Sequence, residues 1–140
     1  MVDISVLVPH AHGVAALADV PGIVTLRYEP GEELPDGAED AEVFIPPFLA
    51  TSELVGLVDK LPGVRLVQLL TAGAENWVGR LPEGVALSDC RGAHGGATAE
   101  WIVTALLSVY RDFPSFARAQ AEARWDAHPT DELAGKRVLI

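Results

Sequence analysis

The chain has 140 residues, 49% of them hydrophobic and 21% charged, which is typical of a globular protein of single-domain size. No run approaches the ~18 apolar residues of a membrane span, and no secretory signal opens the sequence, so we expect a cytoplasmic protein without a membrane partner. The single cysteine, Cys90, excludes an internal disulfide. The net charge of −10 disfavours nucleic acid as a partner, because phosphate contacts need clustered Lys and Arg.

The negative charge is concentrated in the first half of the chain. Residues 1–60 hold eleven acids against two bases, whereas residues 61–140 hold nine acids against eight bases. Seven of the acids lie between Glu29 and Glu42, interleaved with Pro and Gly. This pattern favours a solvated loop over a cation site, since Ca²⁺ loops space their ligands more tightly.

Runs of β-forming residues alternate with helical patterns from the start of the chain to about residue 90. This alternation predicts an α/β fold, a flavodoxin-like parallel five-stranded sheet flanked by helices. In residues 52–60, a helix capped by Thr51 or Ser52 would place Leu54, Val55 and Val58 on one face. The predicted strands are residues 4–8, 23–28, 42–45, 65–70 and 85–88, and the two predicted helices are residues 14–19 and 52–60.

The pattern changes after Ser88. Residues 89–96 form a glycine-rich connection, and a long helix is predicted to start near Ala97 or Thr98 and to run to about residue 112. This helix is apolar over more than one face, so its own domain or another subunit must cover it. Pro114 is expected to end or kink it, and Ser115 to start a second helix.

The last residues predict a turn followed by a sixth buried parallel strand at residues 138–140. Such a strand normally opens a βαβ unit, whose glycine-rich turn and helix come next. We therefore expect that a nucleotide-binding domain is cut off at its first strand.

Ligands of open parallel sheets bind outside the carboxyl ends of the strands, where loops present free amides. Four segments lie at such positions, and residues 71–76 give the strongest indication of a ligand site. Small residues there would let backbone N–H groups approach a small carboxylate closely. An ordinary turn, with Gly73 chosen for its dihedral angles, explains the same residues equally well. The four segments are residues 9–13, 46–50, 71–77 and 90–98.

Other polar residues carry weaker signals. His10 and His12 alternate at the end of a strand and would point to opposite sides, so no metal site is predicted. Cys90 shows no activating base, which disfavours a nucleophile. Thr98 is predicted to be a helix N-cap. A second role, contact with a bound cofactor, is compatible with that position. Trp125 reads as a packing anchor rather than a base-stacking platform.

Five segments, taken together, resemble the D-isomer-specific 2-hydroxyacid dehydrogenases along essentially the whole chain. No single motif decides this resemblance, but five motifs in order are fairly specific. The segments are Leu69-Leu70-Thr71-Ala72-Gly73-Ala74-Glu75-Asn76-Trp77, Cys90-Arg91-Gly92-Ala93-His94, Thr98-Ala99-Glu100-Trp101, Gln120 with Trp125, and Leu133-Ala134-Gly135-Lys136-Arg137-Val138-Leu139-Ile140.

The resemblance implies roles for both parts of the chain. Residues 1–92 would be the N-terminal part of a flavodoxin-like substrate domain, and residues 93–140 would be a hinge, a dimerisation helix arm and the first strand of a truncated NAD-binding Rossmann domain. His94 and Thr98 would lie near the cofactor. The implied substrate-binding residues are Thr71, Ala72, Gly73, Ala74, Asn76, Pro47 and Phe48, and the implied homodimer interface comprises Trp101, Leu106, Tyr110, Phe113 and Trp125.

The resemblance also implies the activity of a longer parent protein. Such an enzyme moves hydride between NAD or NADP and a small 2-oxo or 2-hydroxy acid. The family's glycine-rich turn and its catalytic Arg, Glu and His would lie beyond Ile140, so no catalytic residue is assigned here. The 140-residue chain alone is expected to be inactive and to bind no cofactor tightly.

Two other classes of protein compete with this interpretation. A non-catalytic flavodoxin-like module that binds a small acid or mediates dimerisation remains the alternative. A receiver domain is disfavoured because Val8-Pro9 and Ile45-Pro46-Pro47 stand where its acidic residues would be.

Overall fold

One parallel sheet organises the first part of the chain. The structure, a computed structural model, describes residues 3–139. The strand order β2-β1-β3-β4-β5 is that of a flavodoxin-like sheet. The predicted fold class is therefore confirmed, with observed strands somewhat shorter than predicted. They are β1 (Ile4–Val8), β2 (Ile23–Arg27), β3 (Val43–Phe44), β4 (Leu66–Gln68) and β5 (Ala86–Ser88).

All strand pairings in the sheet are parallel. Val6 of β1 is paired with Val43 of β3, Val43 with Leu66 of β4, and Leu66 with Ala86 of β5. Parallel strands end at a common edge, so the segments that follow β3, β4 and β5 are neighbours in space.

Helix α1 (Ala11–Leu17) starts earlier than the predicted helix at residues 14–19. The cause is His10, whose Nδ1 accepts a hydrogen bond from the Gly13 N–H at 2.9 Å and so caps the helix. The expectation that His10 and His12 point to opposite sides was wrong, because the chain has already left the strand. Their ring centroids lie 6.2 Å apart.

The core lies between the sheet and the segments that cover it. Phe44 is fully buried, with its ring centroid 5.6 Å from that of Tyr28 and 6.4 Å from that of Trp77. Residues Ser52–Lys60 form a 3₁₀ helix that buries Val55 and Val58, with Leu54 packed against the core. The predicted apolar face is confirmed, although the Thr51 side chain makes no capping hydrogen bond. A short 3₁₀ turn, Ala38–Asp40, precedes β3.

A second compact unit starts at His94 and contains α2 (Gly95–Tyr110) and α3 (Phe113–Ala121). The predicted Thr98 cap was wrong: Thr98 lies in the first turn of α2, and its N–H donates to the His94 carbonyl at 3.0 Å. Pro114 does not end α2 but lies at the start of α3, where its missing N–H costs nothing. Asp112, with a φ of 49°, turns the chain between the helices.

The predicted sixth strand is absent from the described residues. Val138 and Leu139 have no regular secondary structure, Leu139 is 99% exposed, and Ile140 lies outside the described residues. A strand needs a hydrogen-bonded neighbour, and no segment of residues 3–139 pairs with this one. Within the same range, no helix has the length and apolar character to cross a bilayer.

Candidate functional site

A cavity of about 280 Å³ lies at the carboxyl-end edge of the sheet, between the segments that follow β3 and β4. The two strands are parallel neighbours, so the loops that follow them lie side by side at the same edge of the sheet. Its lining combines apolar side chains with a few polar groups, as is usual for small-molecule sites. The lining residues are Pro46, Pro47, Leu49, Ala50, Leu69, Leu70, Thr71, Gly73, Glu75, Asn76 and Trp77.

Hydrogen bonds to neighbouring strands and within the loop fix one side of the cavity. The Leu69 N–H donates to the Ser88 carbonyl at 2.8 Å, and the Cys90 N–H donates to the Thr71 carbonyl at 2.9 Å. The Thr71 hydroxyl donates to the carbonyl of Gly73 at 3.0 Å. These bonds attach the start of the loop to the sheet and close a local turn, so the loop is preorganised rather than freely mobile.

The backbone amides of this loop are unpaired. Among the residues that the structure describes, none accepts a hydrogen bond from the N–H groups of residues 71–76. Unpaired amides carry partial positive charge and can donate hydrogen bonds to an anion. Gly73 lacks a side chain that would cover them. The loop therefore has the chemistry of an anion-binding segment, and a carboxylate is the simplest ligand for it.

Residues after β3 form the opposite wall. The buried Tyr28 hydroxyl donates to the Ile45 carbonyl at 3.1 Å, and burial raises the pKa of Tyr28, so the phenol remains a donor at neutral pH. The chain then turns at Leu49, whose φ of 61° is unusual for a residue with a branched side chain. The Ala50 N–H closes this turn on the Pro47 carbonyl at 3.1 Å.

The cavity brings together four of the seven expected substrate-binding residues, Thr71, Gly73, Asn76 and Pro47. The other three do not line it. Ala72 is exposed, Ala74 packs against the core and Phe48 is 55% exposed. These positions are set by the turn geometry of each loop, which cannot be read from residue types alone.

Sequence reasoning did not single out Glu75, Trp77, Leu49 or Tyr28. Glu75 lies inside the motif at residues 69–77, so its position was available as a signal. Trp77 ends the same motif and is 3% exposed beneath the cavity. Leu49 lies in the candidate segment of residues 46–50, although its turn could not be read from that segment. Tyr28 carried no local signal, because its role comes from a contact across 17 residues.

The residues expected to contact a cofactor, His94 and Thr98, are exposed at the start of α2. Those expected at a dimer interface lie on α2, on α3 and in the segment after α3. Trp101 is 72% exposed, Phe113 59% and Trp125 92%, whereas Leu106 and Tyr110 are half-buried. No cofactor or second chain is present to test these contacts, so the roles at the cofactor and at the dimer interface stay predictions.

No cluster of metal-ligating side chains is present in residues 3–139. Cys90 is partly buried, and its sulfur lies 3.8 Å from the amide nitrogen of Gln68, at weak hydrogen-bonding distance. No activating base faces this thiol among the interactions found for it.

Comparison with solved structures relates this fold to a group of enzymes. A "D-isomer specific 2-hydroxyacid dehydrogenase family protein" from Aeromonas salmonicida subsp. salmonicida A449 matches with a TM-score of 0.76 and 21% identity, over 97% of this chain and 44% of that one. The chain has the fold of the matched part of this protein. A D-isomer specific 2-hydroxyacid dehydrogenase from Xanthobacter autotrophicus Py2, solved with NADPH and MES, matches with a TM-score of 0.63 and 24% identity, over 92% of this chain and 42% of that one.

These similarities confirm the fold that the sequence resemblance implied. The chain spans less than half the length of the solved proteins it matches. No protein-family model and no curated protein matches the sequence.

Proposed function

We propose that the chain belongs to an NAD(P)-dependent D-2-hydroxyacid dehydrogenase and that residues 71–76 bind the carboxylate of a small 2-oxo or 2-hydroxy acid. The observation that carries this proposal is the loop of unpaired amides at residues 71–76, of which Thr71, Gly73, Glu75 and Asn76 line a cavity of about 280 Å³. The structural similarity to dehydrogenases of this name supports it.

The cavity's own residues would bind and orient the acid. The amides of the loop hold its carboxylate, and the apolar wall of Pro46, Pro47 and Leu69 excludes water from the rest of the molecule. A bound nicotinamide cofactor supplies the hydride in reactions of this class. In this proposal, residues 1–92 are a substrate domain and residues 93–140 lead into a cofactor domain.

The sequence contains no Gly-x-Gly-x-x-Gly turn, the usual cradle of a dinucleotide pyrophosphate. His94 and Thr98 are the residues of this chain that we assign to the cofactor, as contacts rather than as a complete site. The 140-residue chain alone should therefore not reduce glyoxylate, hydroxypyruvate or pyruvate with NADH. Turnover above a protein-free blank would contradict this assignment.

Carboxylate binding can be measured directly on the 140-residue chain by titrating it with pyruvate and following backbone amides by ¹H–¹⁵N NMR. We expect the largest shifts at residues 71–76. Gly73→Val should weaken binding at least tenfold, because a branched side chain covers the amides. Gly56→Ala is the control, since Gly56 has open space around it and lies outside the cavity. If pyruvate changes the chemical shifts of other amides but not those of residues 71–76, the proposal is refuted.

We also propose that α2 forms a homodimer interface. In support of this, α2 contains no buried residue in the described chain, although it is strongly apolar and carries Trp101 at 72% exposure. Trp101→Glu should convert a concentration-dependent dimer into a monomer in sedimentation equilibrium. Ala16→Glu, which adds the same charge to an exposed position of α1, should leave the mass unchanged. A wild-type chain that is monomeric at all concentrations would contradict this proposal.

A further inference from the structure

Glu75 places a negative charge inside the cavity proposed to bind an acid. Its Oε2 lies only 2.8 Å from the point where a Cβ on Gly73 would be, so the carboxylate lies over the middle of the amide loop. Glu75 is the one charged side chain among the cavity-lining residues that the structure describes. Within residues 3–139, no hydrogen bond or ion pair is found for its carboxylate.

This arrangement has two consequences for a ligand. The carboxylate of Glu75 occupies space beside the amides that a ligand carboxylate would use. It also repels any anion that enters, and each additional negative charge on the ligand adds to that repulsion. Glu75 is exposed, so solvent and salt weaken the repulsion without removing it at short range.

We propose that Glu75 is a specificity-determining residue that favours monocarboxylic over dicarboxylic 2-oxo acids. This inference rests on the proposed function of the loop. No Lys or Arg side chain lines the described cavity to offset a second negative charge. A monoanion can place its one carboxylate on the amides while Glu75 moves aside, whereas a dianion must bring a further charge close to the same glutamate.

The test compares wild type with Glu75→Gln, which keeps the shape of the side chain and removes its charge. Dissociation constants for pyruvate and for 2-oxoglutarate are measured by NMR titration in low salt. For a unit charge about 5 Å away in water, Coulomb's law gives roughly a three- to fivefold tightening for pyruvate. The tightening for 2-oxoglutarate should be about tenfold, and both gains should shrink in 0.5 M NaCl, which shortens the Debye length to roughly 4 Å.

Glu83→Gln is the matched control. It removes the same charge from an exposed residue that does not line the cavity, so it should leave both dissociation constants unchanged. A gain in Glu83→Gln equal to that in Glu75→Gln would overturn the inference, because net charge rather than position would then explain the effect.

The remaining outcomes separate this inference from the function on which it rests. If pyruvate shifts the loop amides but Glu75→Gln binds both acids as wild type does, the specificity role is refuted and the loop function stands. Equal gains for both acids would also refute the preference for monocarboxylates. If pyruvate shifts no amide of residues 71–76 in either protein, the loop function is refuted, and this inference with it.

Discussion

The two units of the chain differ in where they place their apolar side chains. The unit that ends at Ala93 builds a core around its sheet, and Leu7, Phe44 and Val67 are fully excluded from solvent. The unit that starts at His94 buries one apolar side chain in the described residues, Ala119, while its Trp125 is 92% exposed. Apolar residues are plentiful in both, so composition does not explain the difference.

A covered sheet buries apolar side chains more completely than a pair of helices does. Five parallel strands with covering segments enclose side chains from both sides, and such an arrangement can be stable alone. In contrast, α2 is apolar on more than one face, and α3 can cover only part of that surface. The first unit should therefore be sensitive to changes in its core, whereas the second should respond more to changes in its polar contacts.

Truncation of a core aromatic should show the contrast most strongly. Phe44→Ala should lower the free energy of unfolding of the first unit by about 3–5 kcal/mol, because it removes a buried ring between Tyr28 and Trp77. Phe113→Ala, at a side chain that is 59% exposed in the second unit, should cost below about 1 kcal/mol. Urea unfolding followed by circular dichroism measures both values. Comparable losses would show that the second unit has a core of its own.

Disturbing the backbone packing of the first unit should lower its stability by a smaller amount. A Cβ on Gly63 would lie 2.7 Å from the Glu39 carbonyl oxygen and 3.0 Å from that of Ala41, so Gly63→Ala must displace the backbone. We expect a loss of about 1–3 kcal/mol. Gly56→Ala meets open space and should be neutral or stabilising by up to about 1 kcal/mol. If both variants melt at the temperature of the wild type, the packing around Gly63 is looser than described.

A polar cluster in the second unit joins the turn before α3 to the segment that follows α3. The His128 ring stacks on Phe116 with centroids 4.7 Å apart. Its Nδ1 lies 3.0 Å from an Asp126 carboxylate oxygen, and its Nε2 lies 3.0 Å from an Asp112 carboxylate oxygen. A protonated imidazole can donate to both carboxylates, whereas a neutral one can donate to only one.

The charges of this cluster set a pH window. Hydrogen bonds to Asp126 and then to Asp112 raise the pKa of His128 above 6.5, so its contribution is complete below pH 6.5 and is lost as pH rises through the higher folded value. Hydrogen bonds lower the pKa of Asp126, chiefly from Arg124, and that of Asp112, chiefly from Ser115. Their contribution is complete above pH 3.8 and is lost as pH falls through the lower folded values. The cluster should thus be most stabilising between these two limits.

An NMR titration of the His128 ring tests this cluster, and the expected effect on stability is the smallest of the three. The ring should titrate above its ordinary pKa of 6.5. Asp112→Asn should move the pKa of His128 back down, because it removes one carboxylate while Asn still tolerates the positive φ at this position. An unchanged His128 titration in Asp112→Asn would show that the contact is not formed in solution.

The fold class and the edge of the sheet that carries the candidate site both follow from the pattern of the chain. Alternating strand and helix signals are local, and parallel strands must end at one edge, so connectivity alone brings residues 71–76 and 46–50 to the same edge. The apolar excess of α2 is equally visible in its residues. These conclusions depend on periodicity and connectivity, which are properties of the sequence.

The side chains that reach the cavity, in contrast, are selected by folding. The direction of Phe48 and Ala72, the carboxylate of Glu75 over Gly73 and the bond from Tyr28 to Ile45 all depend on turn angles and on contacts between distant segments. His10 as a cap and the start of α2 before Thr98 have the same origin. Local residue preferences differ by about 1 kcal/mol or less, so the packing and hydrogen bonds of the folded chain override them.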